Sequence, residues 1–175
     1  MSFAKLYLLL FCAILSYSPY VYAEELDEYT LKAAFLYNFA AYTTWPDSNN
    51  GNTFNLCIYG NDPFGNNLDT LMQKKRINDR TITIYRTNNI DRLDSCQLVF
   101  ISRSSVDNLK AVINTLQDKP VLIVADSPGT IQQGVTLNME IKDEKVTFEA
   151  NLKVARKAGL NLSSQLLRFA TSVLQ

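Results

Sequence analysis

Two short stretches, residues 98–102 (LVFIS) and 120–125 (PVLIVA), are apolar at almost every position, and a segment with helical spacing separates them. A strand that is apolar on both sides needs cover on both sides. The usual solution is a parallel sheet held between two layers of helices. The intervening segment, 106–117, carries Val106, Leu109, Val112, Ile113 and Leu116 on one face, which predicts a crossover helix.

The rest of the chain extends this pattern. Residues 54–60 predict a strand, 66–74 a short helix, and 81–86 a β-branched strand. Before them, 28–43 predicts a helix with a stripe of Leu31, Ala34, Phe35, Asn38, Phe39 and Tyr42. Asp27 is its candidate cap, and Trp45-Pro46 stops it because proline cannot continue a helix. After 125 the pattern changes. Strands at 135–141 and 145–150, turning at Lys142-Asp143-Glu144, predict a β-hairpin. Residues 151–157 predict a helix broken at Ala158-Gly159. A last helix is expected over 163–174, capped by Ser163 or Ser164, with Leu166, Leu167, Ala170, Val173 and Leu174 buried. The expected fold is α/β: a three-layer αβα sandwich whose mostly parallel sheet gains a C-terminal β-hairpin.

Residues 1–23 have the layout of a secretory signal peptide: Lys5, an apolar stretch too short for a permanent span, a turn region with Pro19, and Val21-Tyr22-Ala23 before the cleavage point. An uncleaved anchor is the alternative. Phe11 before Cys12 is too bulky for a lipoprotein processing site. Residues 24–175 then form one domain, with no repeat or linker. The whole chain has 17 basic and 17 acidic residues. Removing Lys5 leaves a slightly negative domain, which argues against a nucleic-acid surface.

Beyond the leader the cysteines are Cys57 and Cys96, and the chain has no histidine. In an oxidising compartment two cysteines suggest one disulfide. Cys57 lies in the first expected strand and Cys96 just ahead of the third, and a right-handed crossover sets those strands side by side. The closed loop of about 40 residues is worth about 4 kcal/mol on the chain-entropy model. Ser-His-Asp and Cys-His catalysis are excluded, and zinc would lack its commonest ligands. Neither metal nor cofactor is expected. A carboxylate pair drawn from Asp62, Asp126 and Glu149 is the remaining enzymatic option. Turn-shaping beside Pro63 and Pro128 is the plainer role for the two aspartates. The segment GNDPFG at 60–65 lacks the lysine of a phosphate loop. The aromatics point to binding: Phe35 and Phe39 suit a core, whereas Tyr37, Tyr42 and Trp45 have polar handles suited to a contact surface.

An ordered set of strings carries a resemblance. LKAAFLYNF at 31–39 with Trp45-Pro46, LCIYG at 56–60 with DPFG at 62–65, CQLVFIS at 96–102, PVLIVAD at 120–126, VTFEAN at 146–151, AGL at 158–160 and SSQLL at 163–167 together resemble the YfiR-like family of periplasmic proteins. The resemblance implies a non-enzymatic regulator. It would inhibit an inner-membrane diguanylate cyclase by binding that protein's periplasmic sensing domain, lowering cyclic di-GMP and biofilm formation. It implies a homodimer, and an outer-membrane peptidoglycan-binding lipoprotein as antagonist. Some relatives carry a second cysteine pair before the hairpin; this chain has none there. A periplasmic small-molecule binding module serving a sensor kinase or transporter is the alternative.

Overall fold

The computed structural model describes residues 27–46 and 51–175. The expected signal peptide lies outside the described residues. Helix α1 (Glu28–Ala41) leads through β1 (Thr43–Thr44) to β2 (Thr53–Tyr59), α2 (Asn66–Met72), β3 (Arg76–Ile77) and β4 (Arg80–Thr87). After a 3-10 turn (Ile90–Ser95) come β5 (Leu98–Ile101), a second 3-10 turn (Arg103–Asn108), α3 (Leu109–Leu116) and β6 (Leu122–Ala125). The chain finishes with β7 (Leu137–Lys142), β8 (Lys145–Asn151), α4 (Leu152–Lys157), β9 (Asn161–Leu162), α5 (Ser164–Leu167) and β10 (Ser172–Leu174).

The main sheet has eight strands in the order β10-β8-β7-β6-β5-β2-β4-β3. Strands β4, β2, β5, β6 and β7 are mutually parallel, and β7–β8 is the antiparallel hairpin. All four residues of β5 and of β6 are buried, as the continuous apolar runs require. One face of the sheet packs against α1, α2, α4 and α5 around Leu36, Phe39, Phe54, Phe100 and Phe148. The other packs against α3 and the first 3-10 turn around Val99, Leu93, Val112 and Ile123. The three-layer expectation holds.

Cys57 and Cys96 form a disulfide with Cα atoms 6.0 Å apart. Both are buried, and the bridge ties β2 to the turn that feeds β5.

Three expectations need correction. The last helix is one turn long, because Thr171 leaves it. The amide and hydroxyl of Thr171 both donate to the carbonyl of Phe148, at 2.8 and 3.0 Å. Residues 172–174 then run parallel to β8 and cover its edge. The β-branched Thr171 and Val173 favour this over a helix. The first three residues of the expected helix 106–117 belong instead to the 3-10 turn that ends at Asn108. Asp27 occupies the cap position of α1, but its side chain makes no capping bond. Ser163 does cap α5, its hydroxyl accepting from the Leu166 amide at 3.2 Å.

Candidate interaction surface

Helix α1 determines the geometry of the site. Its buried residues are Lys32, Ala33, Leu36, Phe39 and Ala40. The expected stripe, centred on Ala34, Phe35 and Asn38, lies about a third of a turn away at 100° per residue. The helix is therefore apolar on two faces that share Phe39; on the second, Phe35 packs against the edge of the core while Asn38 and Tyr42 stay exposed.

Lysine at position 32 belongs to the first face because its ammonium finds anions there. Lys32 is fully buried, and its Nζ lies 2.6 Å from Asp126 Oδ2 and 2.5 Å from Glu28. Tyr29 donates to the same Asp126 oxygen at 3.1 Å. Arg103 reaches Asp126 Oδ2 at 3.3 Å and Glu28 at 3.0 Å. Asp126 stands just past the end of β6, so this network bolts the start of α1 to the carboxyl edge of the sheet. Its electrostatics follow from the contacts. The hydrogen bond from Lys32 is the main cause that holds the Glu28 carboxyl below its ordinary value. Burial, then the Asp126 charge, push the Tyr29 phenol up to about 12.

The second face of α1 forms a groove. Phe35, Asn38 and Tyr42 line one wall, Val146 to Phe148 of β8 another, and Leu166, Arg168 and Phe169 the third, around about 700 Å³. Phe169 is 79 % exposed and Tyr42 43 %. Phe35, Phe39 and Phe148 meet edge to face at the base, with centroids 5.0–6.0 Å apart.

Of the three aromatics expected at a contact surface, only Tyr42 lines this groove. Tyr37 is half-buried, with the Lys75 ammonium 4.8 Å from its ring centre. Trp45 is 8 % exposed and packs edge to face on Phe54 at 5.2 Å; its indole belongs to the core. The sequence reading missed Phe169. Its signal was its place between Leu167 and Ala170, off the apolar spacing of the expected helix.

The three acids considered for catalysis are engaged separately. Asp62 accepts from the Phe64 amide, shaping the turn as expected, and pairs with Arg86 at 2.6 Å. Asp126 belongs to the Lys32 network. Burial, then the neighbouring Glu140, raise the Glu149 carboxyl above its ordinary value. The segment 60–65 is explained by close approach: Gly60 has φ +98°, and a Cβ there would meet the hydroxyls of Ser102, Ser104 and Ser105 inside 3.0 Å.

The model of the YfiR/HmsC-like family matches residues 29–171, nearly all of the described chain. This chain is a member of the YfiR/HmsC-like family. Proteins of this kind are periplasmic regulators of diguanylate cyclases rather than enzymes. No curated protein matches the chain. Among solved structures, a conserved domain protein from Vibrio cholerae O1 biovar eltor is similar over 85 % of this YfiR-like chain and 60 % of its own, with TM-score 0.50 and 9 % identity. The ABC domain from Streptococcus pneumonia, solved in complex with L-Trp, is similar over 70 % of this chain and 55 % of its own, with TM-score 0.47 and 10 % identity. The chain thus spans a little over half the length of these structures, and the first of them bears on the fold alone. None of the helices among the described residues is long and apolar enough to cross a membrane.

Proposed function

We propose that this YfiR-like chain binds the periplasmic sensing domain of an inner-membrane diguanylate cyclase and holds its output low, with the α1–β8–α5 groove as the contact surface. The observation that supports this reading is the exposed apolar rim, Phe169 and Tyr42, around a groove lined by further apolar side chains. Aromatic anchors flanked by one arginine, here Arg168, have the composition of binding hot spots. An inhibitor of this kind works by differential affinity: it silences the cyclase only as far as it prefers the inactive state. Dimerisation and sequestration by an outer-membrane peptidoglycan-binding lipoprotein would tune the free concentration. Titration of the purified sensing domain with wild type and Phe169→Ala tests the reading. Affinity should drop about 30-fold for a central anchor, with folding unaltered. Unchanged affinity for Phe169→Ala and Tyr42→Ala alike would remove the groove from the contact.

A second reading draws on the groove's volume, which falls within the 300–1,000 Å³ typical of small-molecule sites. A metabolite screen by thermal shift addresses it, since a ligand that binds only the folded chain raises its melting temperature.

A further inference from the structure

At the amino edge of the parallel strands, away from both the groove and the Lys32 network, two buried donors have no acceptor. Arg80, at the start of β4, is 9 % exposed, and its Nη1 has no hydrogen-bond partner among the described residues. No ion pair involving Arg80 occurs among the described residues; its guanidinium sits over the Phe54 ring, 5.2 Å from the centre. The indole Nε1 of Trp45 is likewise buried and unpartnered. Trp45 packs on the same Phe54 ring, also at 5.2 Å. Both side chains therefore contact one phenyl ring.

Burying an unpaired charge is among the costliest choices a fold can make, and folded chains normally supply a counter-charge. Burial is the cause that lowers the Arg80 pKa, and no carboxylate opposes it. A cation–π contact recovers only a small part of that cost. The indole N–H of Trp45, whose ring packs on the same Phe54, is a second buried donor without an acceptor among the described residues. One acceptor carrying negative charge would satisfy both.

We infer that Arg80 and Trp45, seated on Phe54, form a binding site for a small oxyanion: a carboxylate or phosphate group. The guanidinium supplies charge and the indole N–H supplies direction. Neither donor comes from the groove, so the site stands or falls independently of the cyclase reading.

Trp45 is the only tryptophan of the chain, so its emission reports on the site directly. The purified protein is titrated with acetate in one arm and inorganic phosphate in another, against chloride at matched ionic strength. We expect a saturable emission change with at least one oxyanion and none with chloride; the arm that responds names the group. At ten times the dissociation constant the melting temperature should rise by about 3–5 °C. Arg80→Met should abolish both responses while melting no lower than wild type without oxyanion. Arg80→Lys keeps the charge and should retain part of the response. Trp45→Phe keeps the ring but removes the N–H, and should weaken the thermal response about tenfold in concentration. Equal responses of wild type and a folded Arg80→Met, or no response of wild type to either oxyanion, would overturn the site.

Discussion

The two ends of helix α1 are held by opposite kinds of force. Near its start, Lys32 is sealed between Glu28 and Asp126 with no exposure. Near its finish, Phe35, Asn38 and Tyr42 line an apolar groove open to solvent. Charge is buried where the helix is fixed to the sheet, and apolar surface is left out where contact is proposed. The usual rule of apolar inside and charged outside is reversed at both ends of one helix. Buried ion pairs add little net stability over an apolar substitute, but they define register sharply when intact. Exposed apolar patches contribute nothing to the fold and mark where another surface is received.

The contrast breaks most severely at the bolt. Lys32→Ala leaves the buried Asp126 with only the half-exposed Arg103 and the Tyr29 hydroxyl as partners, and should cost about 3 kcal/mol. Urea melts would register this as a lower midpoint at unchanged slope. Lys32→Met paired with Asp126→Leu should recover most of the loss; a double variant as unstable as Lys32→Ala would show that the network does more than offset its own charges. Next in size is the disulfide. Cys57→Ser with Cys96→Ser should cost about 2–4 kcal/mol, and a melting curve indifferent to reductant would contradict that. At the groove the expectation is reversed: Phe169→Ala should leave the urea midpoint within about 0.5 kcal/mol of wild type while weakening partner binding.

The smallest effect sharpens the comparison through pH. The Glu28 carboxyl is depressed in the fold, so its contribution is present above its unfolded pKa and is lost as pH falls through the folded value. Glu149 behaves in reverse. Its folded pKa is raised by burial and by Glu140, so the folded state holds its proton longer, and stability falls as pH rises above 4.5 through the raised value. Glu149→Gln should therefore gain stability at pH 7 and none at pH 3. Glu28→Gln should lose stability at pH 7 and less at pH 3. Thermal melts at the two pH values read both signs.

The sheet was legible because its signal is local. The apolar runs of β5 and β6 required cover on both faces, and the placement of Cys57 and Cys96 anticipated adjacent strands. The site was far less legible, for one physical reason. An apolar stripe at helical spacing states that a surface avoids water, not what covers it. On α1 the stripe suggested core for Phe35 and Phe39; Phe39 is core and Phe35 packs against its edge, while the rest of the core face was disguised by a lysine whose partner lies in distant sequence. Trp45 looked suited to a surface because its ring has a polar tip, yet that tip is buried. The C-terminal strand escaped notice because the carbonyl of Phe148, which draws Thr171 out of the helix, is also remote in sequence. The same remoteness hid Phe169.

That final strand has a bearing on recognition. The groove joins residues near 40 to residues near 147 and 168, so its walls come from both ends of the domain. A chain clipped before Thr171 would lose the strand that fixes Arg168 and Phe169 beside Tyr42, leaving that wall of the groove unanchored. On the proposed reading, recognition therefore needs the last residues of the domain as much as its first helix.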